Sequence, residues 1–536
     1  MKQTIQKRLL PALAVVLLLL VLKYCWSLYL FPEVPFGYDA GIYRFLFIRH
    51  SGVLPPFDAA TLPPWAQVHA PGLFVFTNIL MHLGVSADML IGWIWNLVPI
   101  ALAVVLAFVV RRRHGDMAGF FVLVVALLST VQYEGFLMMY QKTFVALLWC
   151  ALAFSAFEAG SVLWVLLGML TIATHQQIGL IFVVAIGSSM TTSLVLHNRT
   201  IPLRRCGEFT LTVLLGAAWY FPTYERSLQD LIPRLLESGT LLALLAALII
   251  VGGFSALLVW LPQKNRRFLW MVGAAVCIVL LSLLPVVLDS PDILALLTPR
   301  PDIAGGAFLS LAEYLKLSLP LLLAGVAGLA LSLEHERGTP WQWAALWCAV
   351  ASLGMFFFYR RFLLPLDFFL LPCAALACAA LWKHKTTGRA VLAVLIVVQS
   401  GLLLHRMSMI DPIVQPEWLE EFAALPESVP AGSTVVVMDN MAPWVVGFLP
   451  DSSVSGPGIF DSLPLPEWEK FLLGSDADRT EFFGKYAQGT FFYVTDVFRG
   501  YYPPDVQSIL THPCLKQMSS RGLYQSMCGG STSAPA

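Results

Sequence analysis

The residues able to do chemistry in this chain are few, and they sit in short stretches between long apolar runs. Asp39 lies in Pro35-Phe36-Gly37-Tyr38-Asp39-Ala40, directly after the first such run. A carboxylate there can accept a proton from an attacking hydroxyl or orient a metal ion. It can equally cap the helical run predicted over residues 40–50, where Ile42, Phe45, Leu46 and Arg49 recur at spacings of three and four. Tyr38 beside it is a candidate substrate contact. Glu134, two residues after Gln132, is a second acid at the end of an apolar run. It reads either as a functional carboxylate or as a solvated turn charge. Lys142 lies about two turns further on. It can pair with Glu134, hold a phosphate, or reach to the headgroups. His175, in Ala173-Thr174-His175-Gln176-Gln177, and His69, in Gln67-Val68-His69-Ala70-Pro71, are each either a substrate contact or a structural hydrogen-bonding group.

Arg360 and Arg361 form a basic pair in Tyr359-Arg360-Arg361-Phe362. Guanidinium groups bind phosphate through two parallel donors, so a lipid-borne phosphate suits them. Ordinary phospholipid headgroups, or a pair with Asp367 one face along, suit them too. Other chemistries lack their residues. No G-x-x-x-x-G-K-[ST] loop, no G-x-G-x-x-G turn and no C-x-x-C pair occurs in the sequence. No cofactor is implied with certainty, although an acid such as Asp39 leaves a divalent metal open.

The elements that must position these residues are set by the bilayer. Of 536 residues, 58% are hydrophobic and 12% charged, with a mean hydropathy of +0.75. Apolar segments recur near 9–31, 88–110, 116–132, 135–157, 161–174, 177–196, 208–222, 240–261, 268–288, 308–332, 341–358, 362–382 and 389–405. Most are close to the ~20 residues a helix needs to cross ~30 Å of hydrocarbon. About thirteen crossings are expected. The first segment is expected to be an uncleaved transmembrane helix rather than a signal peptide, since its apolar run is too long. The 33 basic and 33 acidic residues balance, so bulk charge carries no argument for nucleic acid, and no such partner is expected.

With the N-terminus cytoplasmic, the inner loops carry Arg111-Arg112-Arg113, Arg199 with Arg204-Arg205, Lys264 with Arg266-Arg267, His335 with Arg337, and Lys383 with Lys385 and Arg389, as the charge rule for inner loops requires. Arg360-Arg361 is the pair that breaks the pattern. Thirteen crossings leave the tail from about 406 outside, as an integral plasma-membrane protein with an extracytoplasmic C-terminal domain. In that tail 417–425 reads as helix, and the runs 433–438 and 489–494 as strands. A small α/β domain follows. Cys514 and Cys528 are its cysteines, expected as a disulfide in an oxidising compartment. The Gly/Ser/Ala-rich end after Cys528 is expected to be disordered. The stretch after Pro71, to Leu83, is too short to span and is expected to be interfacial or re-entrant.

One transmembrane helix followed by a long outer loop that opens on an acid in a Gly-aromatic-Asp context resembles the GT-C superfamily of membrane glycosyltransferases. His69-Ala70-Pro71-Gly72-Leu73 is similar to the Pro-Pro-Leu type of segment in that loop, with Gly72 replacing the second proline. Arg111-Arg112-Arg113-His114-Gly115 resembles the family's basic turn, and so does an apolar core ending in a soluble outer domain. The resemblance implies a polytopic α-helical fold and a polyprenyl-phosphate or -diphosphate sugar as donor. It further implies a loop acid (Asp39) acting as base or orienting the acceptor, a second acid in a later outer loop (Glu134), and a phosphate-binding arginine near the start of a late helix (Arg360 or Arg361). The acceptor is a glycan, a lipid or a protein. A flippase of lipid-linked sugars and a non-catalytic cell-envelope scaffold are the alternatives. The charges gather at the outer ends of the segments rather than midway along them, which favours interfacial chemistry over passage.

Overall fold

The computed structural model describes residues 2–32, 34–51, 62–67, 69–196, 202–220, 311–335, 338–354, 363–384, 386–457, 463–518 and 522–528. Helices α1 (Lys2–Leu30), α2 (Ala40–His50), α3 (Pro64–Gln67), α4 (Gly72–His82), α5 (Ala87–Ile91) and α6 (Trp93–His114) come first. Then follow α7 (Asp116–Leu128), α8 (Thr130–Leu137), α9 (Gln141–Glu158), α10 (Leu163–Thr174), α11 (Gln176–Leu196) and α12 (Leu203–Ala218). After the undescribed stretch come α13 (Leu311–His335), α14 (Pro340–Gly354), α15 (Leu363–Lys383) and α16 (Thr386–Met407). The chain divides into two compact units. The first comprises Met1–Trp26, Ala70–Leu73 and Asn96–Ile410; the second comprises Ser27–His69, Phe74–Trp95 and Asp411–Ala536.

The first unit is helical and apolar. Among the described residues five helices are long and apolar enough to cross a membrane, six if α7 and α8 count as one bent span. The expected segments 240–261 and 268–288 lie outside the described residues. Lipid-facing surfaces are evident: Leu10, Leu18 and Leu22 on α1, and Val391, Val394 and Val398 on α16, are exposed, as helices in hydrocarbon allow. By contrast α15 is buried at nearly every position from Leu363 to Ala379. It meets α13 backbone to backbone, because a Cβ at Gly328 would overlap the Cys373 carbonyl; small residues permit such approach between membrane helices.

Two expected crossings take a different form. Segment 116–132 does not run through: α7 ends at Leu128 and α8 restarts at Thr130, bent by 55°. Ser129 makes the joint, closing α7 and accepting from the Gln132 N–H at 3.0 Å as the N-cap of α8. A break inside an apolar bundle frees carbonyls that cannot reach water. Here side chains from two other helices take them up. The Lys23 ammonium on α1 donates to Ala126 O at 3.1 Å, Leu127 O at 3.0 Å and Ser129 O at 2.7 Å. Gln399 on α16 donates to the remaining carbonyl, Leu128 O, at 3.3 Å. The next helix then begins at Gln141 rather than near 135, after a turn in which Met139 takes a left-handed φ of 57°.

The second unit holds a five-stranded sheet. The helix α17 (Pro416–Ser428) precedes β1 (Thr434–Val437), then α18 (Ala442–Phe448), β2 (Ser453–Ser455), β3 (Phe491–Tyr493), β4 (Leu515–Gln517) and β5 (Leu523–Ser526). The order is β2-β1-β3-β5-β4. β1 runs parallel to β2 and β3, while β5 is antiparallel to β3 and β4. Val435, Val436 and Val437 are wholly buried, as a central parallel strand requires. One core gathers Val436, Trp468, Phe471, Phe482, Phe483 and Phe492. Cys514 and Cys528 are joined by a disulfide, their Cα atoms 4.8 Å apart. The end after Cys528 lies outside the described residues.

Candidate functional site

The residues singled out by sequence fall in both units. In the second, Asp39 is the N-cap residue of α2, but its side chain makes no capping hydrogen bond. α2 itself is held close to α18. A Cβ on Gly41 would lie 2.6 Å from Trp444 O and nearer still to Pro443 O, and one on Gly447 would lie 2.7 Å from Gly41 Cα. Two glycines thus let the backbones touch, and no side chain fits between them. Around this crossing Tyr38 Oη donates to Asn440 O at 2.8 Å. Burial, with Asp39 and Asp439 nearby, pushes that hydroxyl up to about 12. Arg44 donates to Asp88 Oδ1 at 2.7 Å and to the Gly447 carbonyl, and lies over the Phe448 ring. Arg49 pairs with Asp451 at 3.6 Å.

The far side of that turn is fixed by Asp439, which is buried. Its Oδ1 accepts from Met441 N–H at 3.0 Å, and its Oδ2 accepts from Thr495 N–H at 3.0 Å and Oγ1 at 2.8 Å. Burial raises its carboxyl above the ordinary range, and the Thr495 and Met441 donors work against that rise. Tyr38, expected as a substrate contact, therefore spends its donor on Asn440. His69 is half-buried, edge-on to Trp65 with ring centroids 6.3 Å apart. His50, on the last turn of α2, stacks on Phe74 at 4.6 Å, and its buried Nδ1 has no hydrogen-bond partner among the described residues.

In the first unit the site candidates centre on α8. All eight of its residues are buried. Glu134 is only 2% exposed, so it is not a solvated turn charge. Its partner is not Lys142 but Arg406, in the last turn of α16, which donates through Nε to Oε1 and through Nη2 to Oε2 at 3.1 Å. Tyr133 Oη is buried with no hydrogen-bond partner among the described residues. Asp367, also buried, accepts from Ser129 Oγ at 2.8 Å and Gln132 Nε2 at 2.9 Å, with Lys23 as its compensating charge. Lys142 occupies the first turn of α9 and is half-buried. His175 caps the C-terminus of α10 in an extended conformation, its Nδ1 3.5 Å from Ile178 N. Gly72, the departure from a second proline, is explained by space: a Cβ would meet Ala173 O at 2.8 Å. Arg360 and Arg361 lie outside the described residues.

Sequence reasoning missed Lys23, Arg406 and the roles of Gln399 and Asp367. The expectation that charges gather at the segment ends fails for Lys23, which lies inside the Leu10–Leu30 span. A lone lysine inside a 21-residue apolar span was the available signal, since such a residue needs a partner.

Comparison with solved structures shows the fold, which agrees with the GT-C resemblance read from the sequence. Among the matched structures are those of the oligosaccharyltransferase of Archaeoglobus fulgidus. Its apo form aligns with 84% of this chain and 64% of its own, at TM-score 0.50 and 15% identity. Its complex, as AglB, with an inhibitory peptide and a dolichol-phosphate aligns with 90% of this chain and 70% of its own, at 0.54 and 12%. A complex with Zn and sulfate aligns with 95% and 73%, at 0.53 and 12%. This chain thus spans about two thirds of that enzyme's length. No family model matches, and no curated protein matches. Among the described residues no three His, Cys, Asp or Glu side chains come together as a metal group would require.

Proposed function

We propose that this protein transfers a sugar from a polyprenyl-phosphate-linked donor to a hydroxyl, amide or similar acceptor at the membrane surface where α1 ends. The fold shared with oligosaccharyltransferase carries the reading. In the proposed step the acceptor heteroatom attacks the anomeric carbon, the bond to the lipid phosphate breaks, and Asp39 takes the acceptor's proton or orients it. The rigid placement of Asp39 supports this role, because the turn that bears it is tied to α18 through the Gly41–Gly447 crossing and the Tyr38–Asn440 hydrogen bond. Glu134 is the supporting acid, its carboxylate oriented by Arg406. Arg360 or Arg361 receives the donor phosphate, with Lys142, His175 and His69 as further substrate contacts. The N-terminus faces the cytoplasm and the sheet domain the outside.

One observation bears on the flippase alternative. The broken span α7–α8 is a device seen in transporters, where unwound carbonyls hold substrate or ion. Here those carbonyls are taken by Lys23 and Gln399, which favours a structural break. The two functions separate in one experiment. Purified protein given a polyprenyl-phosphate sugar in detergent, with no vesicle to cross, should release polyprenyl phosphate in proportion to glycosylated acceptor. Movement of intact donor across a bilayer without bond cleavage would overturn the reading.

A further inference from the structure

A cleft lies in the first unit, at the end of the bundle that carries the basic clusters and that the charge rule assigns to the cytoplasm. It occupies about 460 Å³. Arg113 and His114, from the last turn of α6, and Lys383 and His384, at the end of α15, line it, and among the described residues no acidic side chain does. Cations at helix C-termini often serve only the helix dipole. Arg113 is also committed to Glu158. Lys383 differs: it is exposed, and its ammonium has no hydrogen bond or ion pair among the described residues.

The wall below these cations is mostly apolar, with Ser332, Thr339 and Gln342 as its polar members. On α15, Pro372, Leu376 and Ala380 lie one above another at spacings of four and lead to Lys383. From Pro372 to Lys383 is eleven residues, a rise of ~16 Å, enough for much of an acyl chain. Leu331 of α13 and Val110 of α6 face the same space. A cleft that is basic at the bundle end and oily along its length matches an anionic lipid of the adjoining leaflet, with its phosphate at the cations and a chain between the helices.

We propose that this cleft binds one anionic diacyl glycerophospholipid, independently of the sugar-transfer site. The experiment uses the full chain in mild detergent with equal amounts of phosphatidylglycerol and phosphatidylcholine, read by native mass spectrometry. One phosphatidylglycerol should be retained in preference to phosphatidylcholine. Lys383→Gln with His384→Gln, both at exposed positions, should weaken retention about fivefold or more, the usual effect of one surface cation. Leu376→Trp should fill the cleft and abolish retention, while Asp39→Asn should leave it unchanged. Equal retention of the two lipids, or unchanged retention in Lys383→Gln/His384→Gln, would overturn the proposal. So would displacement by soluble glycerol 3-phosphate, which would mark a phosphate site without a lipid chain.

Discussion

Replacing Lys23 with methionine should be among the most destabilising changes in the membrane unit. Lys23 is 2% exposed, so its ammonium has no water to fall back on. The variant keeps the volume of the side chain but strips the donor from three carbonyls at the end of α7. It also leaves buried Asp367 without its compensating charge. Removing one member of a buried charge pair costs about 3–5 kcal/mol, most of it from the charge left behind. Asp367→Asn should cost less, about 1–2 kcal/mol, because Lys23 would keep its three carbonyl acceptors. The double variant should then be more stable than Lys23→Met alone, with a coupling of about 1–3 kcal/mol. Cys150, Cys348, Cys373 and Cys378 are buried thiols of the same unit, whereas Cys206 is exposed and Cys25 half-buried, so with Cys25 and Cys206 replaced by serine a thiol-reactive fluorophore reports unfolding in detergent. Single changes that add without coupling, or a greater cost for Asp367→Asn than for Lys23→Met, would show that Lys23 does not serve Asp367 and the α7 carbonyls together.

Other consequences concern the second unit. Gly41→Val places atoms where Pro443 and Trp444 backbone already lies, so α2 must lift from α18 at a cost of at least about 1–3 kcal/mol; hydrogen exchange across 442–448 should rise. His50 has its pKa lowered to about 4 by burial. An unfolded histidine titrates near 6.5, so its contribution is complete above that pH and is lost as pH falls toward 4, up to about 3 kcal/mol. His50→Phe keeps the ring on Phe74 and should flatten that acid limb in a denaturation series. An unchanged pH profile would show that the imidazole is not the titrating group.

Much of the architecture was legible in sequence because hydropathy records which segments can cross hydrocarbon, and Val435–Val437 can only be a buried strand at that length. What escaped notice depends on partners far along the chain. Nothing near Ser129 announces a break, since a serine within an apolar helix usually bonds back to its own backbone. The break is stable only because Lys23 and Gln399 come to it from 106 and 271 residues away. Glu134 looked like a turn charge because its partner Arg406 is 272 residues distant. β2 and β4 are three-residue strands, too short to carry a period. Asp39 was visible because an acid at the end of an apolar run is conspicuous by itself, and its docking through Gly41 and Gly447 was not, because glycine leaves no pattern.

The most direct measurement of the central claim is the turnover of Asp39→Asn with a polyprenyl-phosphate sugar and its acceptor, alongside Asp39→Glu and with the fold checked by thermal midpoint. kcat should fall about 10²–10⁴-fold in the asparagine variant, as loss of a general base does, with partial recovery in the glutamate variant and an unchanged midpoint. Wild-type turnover by a folded Asp39→Asn protein would contradict it.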